Sequence, residues 1–490
     1  VNRPNVDDYF GDWKQREALV QEMIPVIGRF FSQRNVGTFI YGRPLHNRSV
    51  TFIMKSHRFV RQIERNEMSE FESHPVLMAI AKLDLWHIQI DLGKLTVRFM
   101  QHQQELGDKA LDVDAFVKSE LGHLDGVKKP PIEKSQDVVL YGFGRIGRLM
   151  ARLLVERTST GEVMRLKAIV VRPGGEDDLE KRASLFASDS VHGAFQGTLR
   201  VDKENRCLIA NGNVIKVIYA NGPEEINYND YGIDDALIID NTGKWRDEEG
   251  LSLHLKAKGA SKVLLTAPGK GDLKNIVFGI NDDEITVDDK IITAASCTTN
   301  AIAPVLKVIN DKFGIVHGHV ETVHAYTNDQ NLIDNYHSGS RRGRSAVLNM
   351  VLTETGAAKA VVKAIPALAG KLTGNAVRVP IPNVSMAIMS LSLEKATTKE
   401  ELNEFLRQIA LHSKLQNQIS YTESEDAVSS DFVGTREAGV VDSLATIVDG
   451  NHCVLYVWYD NEFGYCCQVG RMVYKMAGVT YQEYPVEEWI

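Results

Sequence analysis

The sequence predicts an α/β protein in which a parallel sheet is followed by a mostly antiparallel one, with a helical segment, residues 1–134, ahead of both. Three observations carry this. Between residues 135 and 296 short apolar runs alternate with helical or loop stretches, the pattern of strands buried on both faces and separated by crossovers. From residue 297 to about 458 the strand-like runs alternate in polarity instead, as in Ser385 to Leu393, which suits an antiparallel sheet with one face covered. Ahead of residue 135 apolar side chains recur at helical spacing.

In the first segment, Trp13 to Phe31 places Leu19, Met23, Val26, Ile27 and Phe30 on one helical face, and Val76 to Ile90 reads as a second amphipathic helix. Its histidines, His46, His57, His74, His87, His102 and His123, show no metal-ligand spacing, so no metal is expected. The run Asp125-Gly126-Val127-Lys128-Lys129-Pro130-Pro131 reads as a linker, which makes the segment a small separable helical domain. A scaffold role, an oligomer contact and regulation all suit it.

Val138-Val139-Leu140-Tyr141 is an apolar strand that runs into Gly142-Phe143-Gly144-Arg145-Ile146-Gly147 and then an amphipathic helix. Strand, Gly-x-Gly-x-x-Gly turn and helix together form the fingerprint of a Rossmann dinucleotide-binding domain. Gly142 allows the tight turn, Gly144 lets a pyrophosphate approach the backbone, and Gly147 permits close packing, while the helix N-terminus favours negative charge. Leu166 to Val171, Val214 to Ile218, Ala236 to Ile239 and Val263 to Leu265 supply further strands. Asn241-Thr242-Gly243 and Thr266-Ala267-Pro268 follow two of them, where cofactor-facing loops belong.

The strand-like Lys290 to Ala294 leads into Ser296-Cys297-Thr298-Thr299-Asn300, which presents a cysteine among hydroxyl and amide groups. A free thiol has a pKa of roughly 8.5, so a nucleophilic cysteine needs a nearby base or cation. His324 is the candidate. It lies on Val320 to Ala325, after the helix-patterned Ala301 to Phe313, so a strand, helix and strand return it to the cysteine's side of a sheet. On their own, one cysteine and one distant histidine fit a buried thiol and a core imidazole better than a catalytic pair, and it is the other motifs that reverse this.

Composition agrees with a soluble globular protein. The chain has 490 residues, 43% of them apolar and 24% charged, with a formal charge of −8. No run approaches the ~20 apolar residues of a membrane span, and no signal peptide opens the chain. Five cysteines, few and odd in number, suit a reducing compartment, so a cytoplasmic location is expected. Ser340-Arg341-Arg342-Gly343-Arg344 is locally basic, but the chain has no wider basic character and nucleic acid is not expected as a partner.

These motifs, with Asp329-Gln330, Thr355-Gly356-Ala357-Ala358-Lys359-Ala360, Gly370-Lys371-Leu372-Thr373-Gly374, Arg378-Val379-Pro380 and Trp458-Tyr459-Asp460-Asn461-Glu462-Phe463-Gly464-Tyr465, make residues 136 onward resemble phosphorylating glyceraldehyde-3-phosphate dehydrogenases. The resemblance does not extend to residues 1–134. It implies a Rossmann domain at 135–296, an α+β catalytic domain at 297–458, and a final segment, 459–490, whose helix at Val469 to Met476 returns to the nucleotide domain. It implies Cys297 as nucleophile and His324 as base. Thr327, Asp329 and Arg378 would serve the substrate phosphate, and Ser296, Thr298, Arg342, Thr355 and Gly356 the attacking inorganic phosphate. Gly142, Gly144, Arg145, Ile146, Gly147, Thr242, Gly243 and Thr266 would hold the dinucleotide, with Asn461 on the nicotinamide carboxamide and Tyr465 beside it. The long loop Tyr326 to Arg344 lies against a neighbouring subunit's cofactor in the family, which implies a homotetramer.

Two departures from the family bear on the coenzyme. Arg172 stands at the end of the second strand, where an acid would bond the ribose hydroxyls, and Asn335-Tyr336 replaces a Leu-Pro pair that crowds the ribose in NAD-specific relatives. Glu176, Asp177 and Asp178 follow as alternative ribose partners. Either NAD or NADP is expected, with NADP favoured. Erythrose-4-phosphate dehydrogenase is the alternative activity, and a non-catalytic scaffold on the same fold is the alternative of another class.

Overall fold

The computed structural model describes residues 8–487. The N-terminal segment contains α1 (Tyr9–Arg34), β1 (Gly37–Ile40), β2 (Arg43–Pro44), α2 (Val50–Ile63), α3 (Glu70–Ile80), β3 (Ile88–Asp91), α4 (Leu92–Leu106) and α5 (Val113–Leu121). Asp8 caps α1 by accepting from the Gly11 amide, and Asn35 ends it in the left-handed conformation at φ 53°. Of the face read from the sequence, Met23, Val26, Ile27 and Phe30 are buried, while Leu19 is only partly buried and Val20 is buried beside it. The helix expected over Val76 to Ile90 is shorter. It stops at Ile80, His87 takes a positive φ of 54°, and Ile88–Asp91 becomes a strand. Apolar spacing alone does not reveal that break, because a short buried strand and a helix end look alike. The helical region therefore carries a small sheet as well.

Next come β4 (Gln136–Tyr141), α6 (Arg145–Glu156), β5 (Met164–Val171), α7 (Asp178–Ala187), a two-residue ribbon of β6 (Ser188–Asp189) and β7 (Gly193–Ala194), then β8 (Leu199–Asp202), β9 (Cys207–Ala210) and β10 (Asn213–Tyr219). After these follow β11 (Ala236–Asp240), α8 (Glu248–Leu255), β12 (Ala260–Leu265) and β13 (Ile291–Thr293). They form one sheet in the order β13-β12-β11-β4-β5-β10-β9-β8, parallel from β13 to β10 and antiparallel beyond. Strand order reverses around β4, and the crevice at the carboxyl ends of such strands is where α/β sheets bind ligands.

The second sheet is built from β14 (Ile315–Ala325), β15 (Val351–Thr353), β16 (Leu372–Val379), β17 (Ser385–Leu393), β18 (Ile419–Thr422), β19 (Gly439–Asp442), β20 (Ile447–Asp449) and β21 (His452–Tyr459). Its order is β15-β16-β14-β17-β21-β19-β18, with β20 also on β21, and most pairs are antiparallel. Against it lie α9 (Cys297–Phe313), α10 (Ala357–Ala364) and α11 (Lys399–His412). The closing helix α12 (Phe463–Met476) packs on α6 and shares the apolar core of the nucleotide domain through Cys466, Val469, Met472 and Val473.

The last strand, β22 (Gln482–Tyr484), pairs in parallel with β3, so the N-terminal sheet has the order β2-β1-β3-β22. Both ends of the chain build one sheet. The buried apolar residues of the N-terminal segment also belong to the same continuous core as Ile302, Leu306, Leu411 and Ile419 of the catalytic domain. Polar ties add to it. Arg407 donates to the Ile63 carbonyl at 2.8 Å, His412 meets Glu64 at 2.7 Å, and Lys94 reaches Gln416 and Glu487, each at 2.7 Å. The segment is docked rather than pendant. Its proline-rich linker is tied too, since Lys128 lies 4.6 Å over the Trp86 ring and 3.4 Å from Asp84. Among the described residues no helix is long and apolar enough to cross a membrane.

Candidate active site

The strand β4 delivers the chain into Gly142, whose φ of 95° suits glycine alone. A Cβ on Gly147 would stand 2.3 Å from the Gly142 carbonyl oxygen, whereas one on Gly144 would meet nothing within 4 Å. The third glycine closes the turn against itself and the second leaves room in front of it. The N-terminus of α6, at Arg145 and Ile146, faces that room with its unpaired backbone N–H groups. The Arg145 guanidinium is committed elsewhere. It pairs with Asp189 at 3.2 Å and donates to Glu462 at 2.6 Å, tying the turn to the start of α12.

Behind the turn, the Thr242 hydroxyl and amide each donate to one Asp240 oxygen at 2.7 Å, and the Thr266 hydroxyl donates to the Asp240 carbonyl at 3.0 Å. Gly243 turns with a φ of 62°. The other Asp240 oxygen lies 2.9 Å from His254 Nε2, and both side chains are fully buried. Asp240 and His254 were not singled out in the sequence. The available signal is an acid at the end of an otherwise apolar strand.

Arg172 lies exposed at the end of β5. Asp178 is held by Arg182 at 2.6 Å, and Arg182 in turn donates to the Arg172 carbonyl at 3.2 Å. Two guanidinium groups therefore stand at the strand end where the family's acid would be, while Glu176 and Asp177 are exposed beyond it.

Cys297 opens α9, with Ser296 as its N-cap. The Ser296 hydroxyl accepts from the Thr299 amide at 3.0 Å and lies 2.7 Å from the Thr299 hydroxyl. Ala295 has a positive φ of 51°, a strained setting for alanine. Tyr465 secures it by donating to the Ala295 carbonyl at 3.0 Å. From this corner the Cys297 sulfur reaches to 3.6 Å from His324 Nε2.

His324 and Arg378 are register partners on β14 and β16. One Arg378 nitrogen lies 3.0 Å from His324 Nδ1, donates to the Ala325 carbonyl at 3.0 Å and to the Thr327 hydroxyl at 3.2 Å. Nδ1 is itself 2.6 Å from the Ala325 carbonyl. A proton on Nδ1 satisfies that short contact and leaves the Nε2 lone pair toward the thiol, so this tautomer is assigned from the hydrogen bonds. Burial, and then the Arg378 charge, push the imidazole pKa down to about 3. Burial pushes the Cys297 thiol up, opposed by Arg378 and by the Thr298 hydroxyl and backbone at the helix start.

Around this pair, Asp329 accepts from Thr327 and pairs with Arg342, which sits on the 3-10 turn Ser340–Gly343. Thr355 Oγ1 accepts from the Ala357 amide at 3.2 Å, and Gly356 caps α10 on an exposed edge beside β15, which pairs with β16 at Arg378. Thr298 does not face outward. Its hydroxyl lies 2.8 Å from the buried Tyr459 hydroxyl, a partner missed in the sequence. The Asn461 carbonyl oxygen accepts from Ser385 at 2.9 Å, which leaves the amide N–H2 as the group free to turn toward a ligand. Ser385 follows Val384, a buried β-branched residue at a φ of 66°. That is a second strained backbone position within the site.

The chain matches the family description "Glyceraldehyde 3-phosphate dehydrogenase, NAD binding domain" over residues 136–248 and "Glyceraldehyde 3-phosphate dehydrogenase, C-terminal domain" over residues 296–461. A "Glyceraldehyde-3-phosphate dehydrogenase-like protein" of Pseudomonas aeruginosa is 60% identical over 465 residues, 94% of this chain and 100% of the relative. That coverage takes in most of residues 1–134, so the N-terminal segment does have a counterpart in a relative. A "Glyceraldehyde-3-phosphate dehydrogenase" of Zymomonas mobilis is 41% identical over 69% of this chain and 98% of its own. The chloroplastic "Glyceraldehyde-3-phosphate dehydrogenase A" of Zea mays is 39% identical over 74% of this chain and 87% of its own.

Proposed function

The chain belongs to the glyceraldehyde-3-phosphate dehydrogenase family, and from that premise we propose that it oxidises glyceraldehyde 3-phosphate, with inorganic phosphate and NAD(P)+, to 1,3-bisphosphoglycerate through a thioester on Cys297. The observation that carries this reading is the Cys297 sulfur 3.6 Å from His324 Nε2, with Arg378 against the far side of the imidazole.

The crevice fits a dinucleotide, because the room in front of Gly144 and the α6 N-terminus accept a pyrophosphate backbone-first. The nicotinamide ring, when bound, supplies the hydride acceptor, and Asn461 is the residue that would orient its carboxamide. At neutral pH the imidazole is unprotonated, so Nε2 takes the thiol proton as sulfur bonds to the aldehyde carbon. Nε2 passes that proton to the former carbonyl oxygen, which completes the thiohemiacetal hydroxyl, and then, neutral again, takes it back as that carbon loses hydride and becomes a thioester. A phosphate oxygen then attacks the thioester carbon, and the carbon–sulfur bond breaks to return Cys297. Thr327 and Arg378 serve the substrate phosphate, and Arg342, positioned by Asp329, serves the attacking phosphate together with the Thr355–Gly356 edge. Ser296 and Thr298 act through the helix start, since their hydroxyls face Thr299 and Tyr459.

The test is nicotinamide reduction followed by absorbance with glyceraldehyde 3-phosphate or erythrose 4-phosphate, with and without phosphate. Turnover with the triose that requires phosphate is expected. A higher specificity constant for the tetrose, or turnover indifferent to phosphate, would replace the reading.

For the coenzyme, Arg172 and Arg182 at the end of β5 favour NADP, whose 2′-phosphate takes a charge-assisted hydrogen bond worth about 1.5–3 kcal/mol. Arg172 is exposed, so the lower end applies, roughly tenfold in affinity. Use of NADP at least equal to NAD is expected, with Arg172→Asp shifting preference toward NAD. Specificity constants strongly favouring NAD in the unaltered chain would point to Glu176 or Asp177 instead.

The loop region also exposes Leu332, Ile333, Tyr336, Leu348 and Met350, with Tyr336 at 92%. An apolar patch of this kind suits subunit contact. Light scattering is expected to give the mass of four chains, and a monomer mass at micromolar concentration would remove the tetramer. The five cysteines are all free thiols, which suits a cytoplasmic location.

A further inference from the structure

A cavity of about 1120 Å3 opens where the N-terminal segment meets the dehydrogenase body. Arg43 and Arg48 enter it from the N-terminal segment, Arg152 from the C-terminal half of α6 and Arg157 from its C-cap, Arg436 from the loop before β19, and Arg471 from α12. Its arginines gather away from the dinucleotide turn, although Phe463 at the start of α12 also borders it. The dinucleotide turn sits at the other end of α6, which with 12 residues is ~18 Å long.

Its charge is opposite to that of the chain. Seven basic and five acidic side chains line the cavity, in a protein of formal charge −8. Arg48 and Arg436 share one carboxylate, Glu156, at 2.8 and 2.7 Å. Among the described residues, Arg43, Arg152, Arg157 and Arg471 have no carboxylate within 4.0 Å. Arg43 lies 3.6 Å over the Phe59 ring and Arg157 lies 5.7 Å over Tyr474. Arg152 donates to the Phe186 and Gly193 carbonyls, and Arg471 donates to Asn417 at 3.0 Å. Burial, and then Arg157, lower the Arg471 pKa to about 10. Glu437 faces Arg43 and Arg471, and Glu483 faces Arg471, at longer range. Half-buried guanidinium groups with no carboxylate in contact are costly unless an anion completes them.

The walls are also aromatic. Phe31 is stacked on His46 at 3.9 Å, and Phe59, Tyr474 and Tyr481 border the arginines. Rings and forked cations together recognise a planar group joined to a phosphate. The volume exceeds the need of a lone phosphate and suits a ligand of drug size.

We propose that this cavity binds a small organic phosphate bearing a planar ring, the chemistry of a mononucleotide, at a site separate from the dinucleotide crevice. The ligand bridges all three parts of the chain that wall it, so its binding stabilises their docking.

The test uses the full chain saturated with NAD+, titrated calorimetrically with AMP and, separately, with ribose 5-phosphate, inorganic phosphate and adenosine. Saturable AMP binding and a raised melting temperature are expected, with at least a tenfold weaker affinity in Arg43→Gln and Arg471→Gln. Ribose 5-phosphate, phosphate and adenosine should each bind more weakly than AMP. Absence of saturable binding, or unchanged affinity in variants whose circular dichroism is native, would overturn the site. Equal binding of phosphate and AMP would overturn the planar ring, and equal binding of adenosine would overturn the role of the cations. Should Arg471→Gln fail to fold, Arg43→Gln decides, because among the described residues its guanidinium rests on Phe59 and makes no ion pair within 4.0 Å.

Discussion

Cys297→Ser is expected to bind the dinucleotide with nearly unchanged affinity and to lose turnover to below about one per cent, with no thioester trapped on rapid acid quench. The serine keeps the size of the side chain at the start of α9, so the capping by Ser296 and the strained Ala295 corner survive. What it removes is a group that His324 can deprotonate, an alkoxide being far harder to form than a thiolate. The pH dependence follows from the same geometry. His324, with its pKa near 3, stays neutral from pH 5 to 9 and contributes no step there. The thiol is raised, so alkylation of the coenzyme-free protein should accelerate as pH rises through the alkaline range. Arg378 stabilises the thiolate, and Arg378→Met should move that rise to still higher pH. Turnover above one per cent in Cys297→Ser would remove Cys297 as the nucleophile.

Deleting residues 1–134 is expected to cost the soluble enzyme, with about a tenfold fall in soluble yield. The deletion takes Ile63 and Glu64 from the buried Arg407, Arg48 from Glu156, and β3 from β22. It also uncovers part of one continuous apolar core. Removing a partner from a buried charge alone costs about 3–5 kcal/mol, against a typical total stability of 5–15 kcal/mol. A truncated chain that is soluble and binds dinucleotide as well as the full chain does would show instead that the segment is separable.

The parts of this molecule that were legible in the sequence are those fixed by local backbone demands. Gly142 and Gly147 announce a turn because no side chain fits there, Gly144 leaves the room in front of it, and Cys297 with His324 is readable because strand, helix and strand return the second to the first. What the sequence did not reveal depends on partners distant in the chain. Asp240 finds His254 within a buried cluster, Thr298 turns inward to Tyr459, and Ser385 reaches Asn461 from a strained corner. Likewise, the periodicity of Trp13 to Phe31 shows which face of α1 is buried but not what lies against it. The separable domain expected from Asp125 to Pro131 is what the deletion tests, since that run resembles a boundary while its neighbours are packed against the rest of the chain.

The pairing of β22 with β3 has a consequence for synthesis on the ribosome. Nearly four hundred residues separate the two strands, from Ile88–Asp91 to Gln482–Tyr484. Until Gln482–Tyr484 have left the exit tunnel, the β3 edge of the N-terminal sheet lacks its neighbour and remains open to pairing with other nascent chains. The sheet begun by Gly37–Ile40 and Ile88–Asp91 is thus completed only long after they are made, and a change that hinders Gln482–Tyr484 would disturb the folding of residues synthesised far ahead of it.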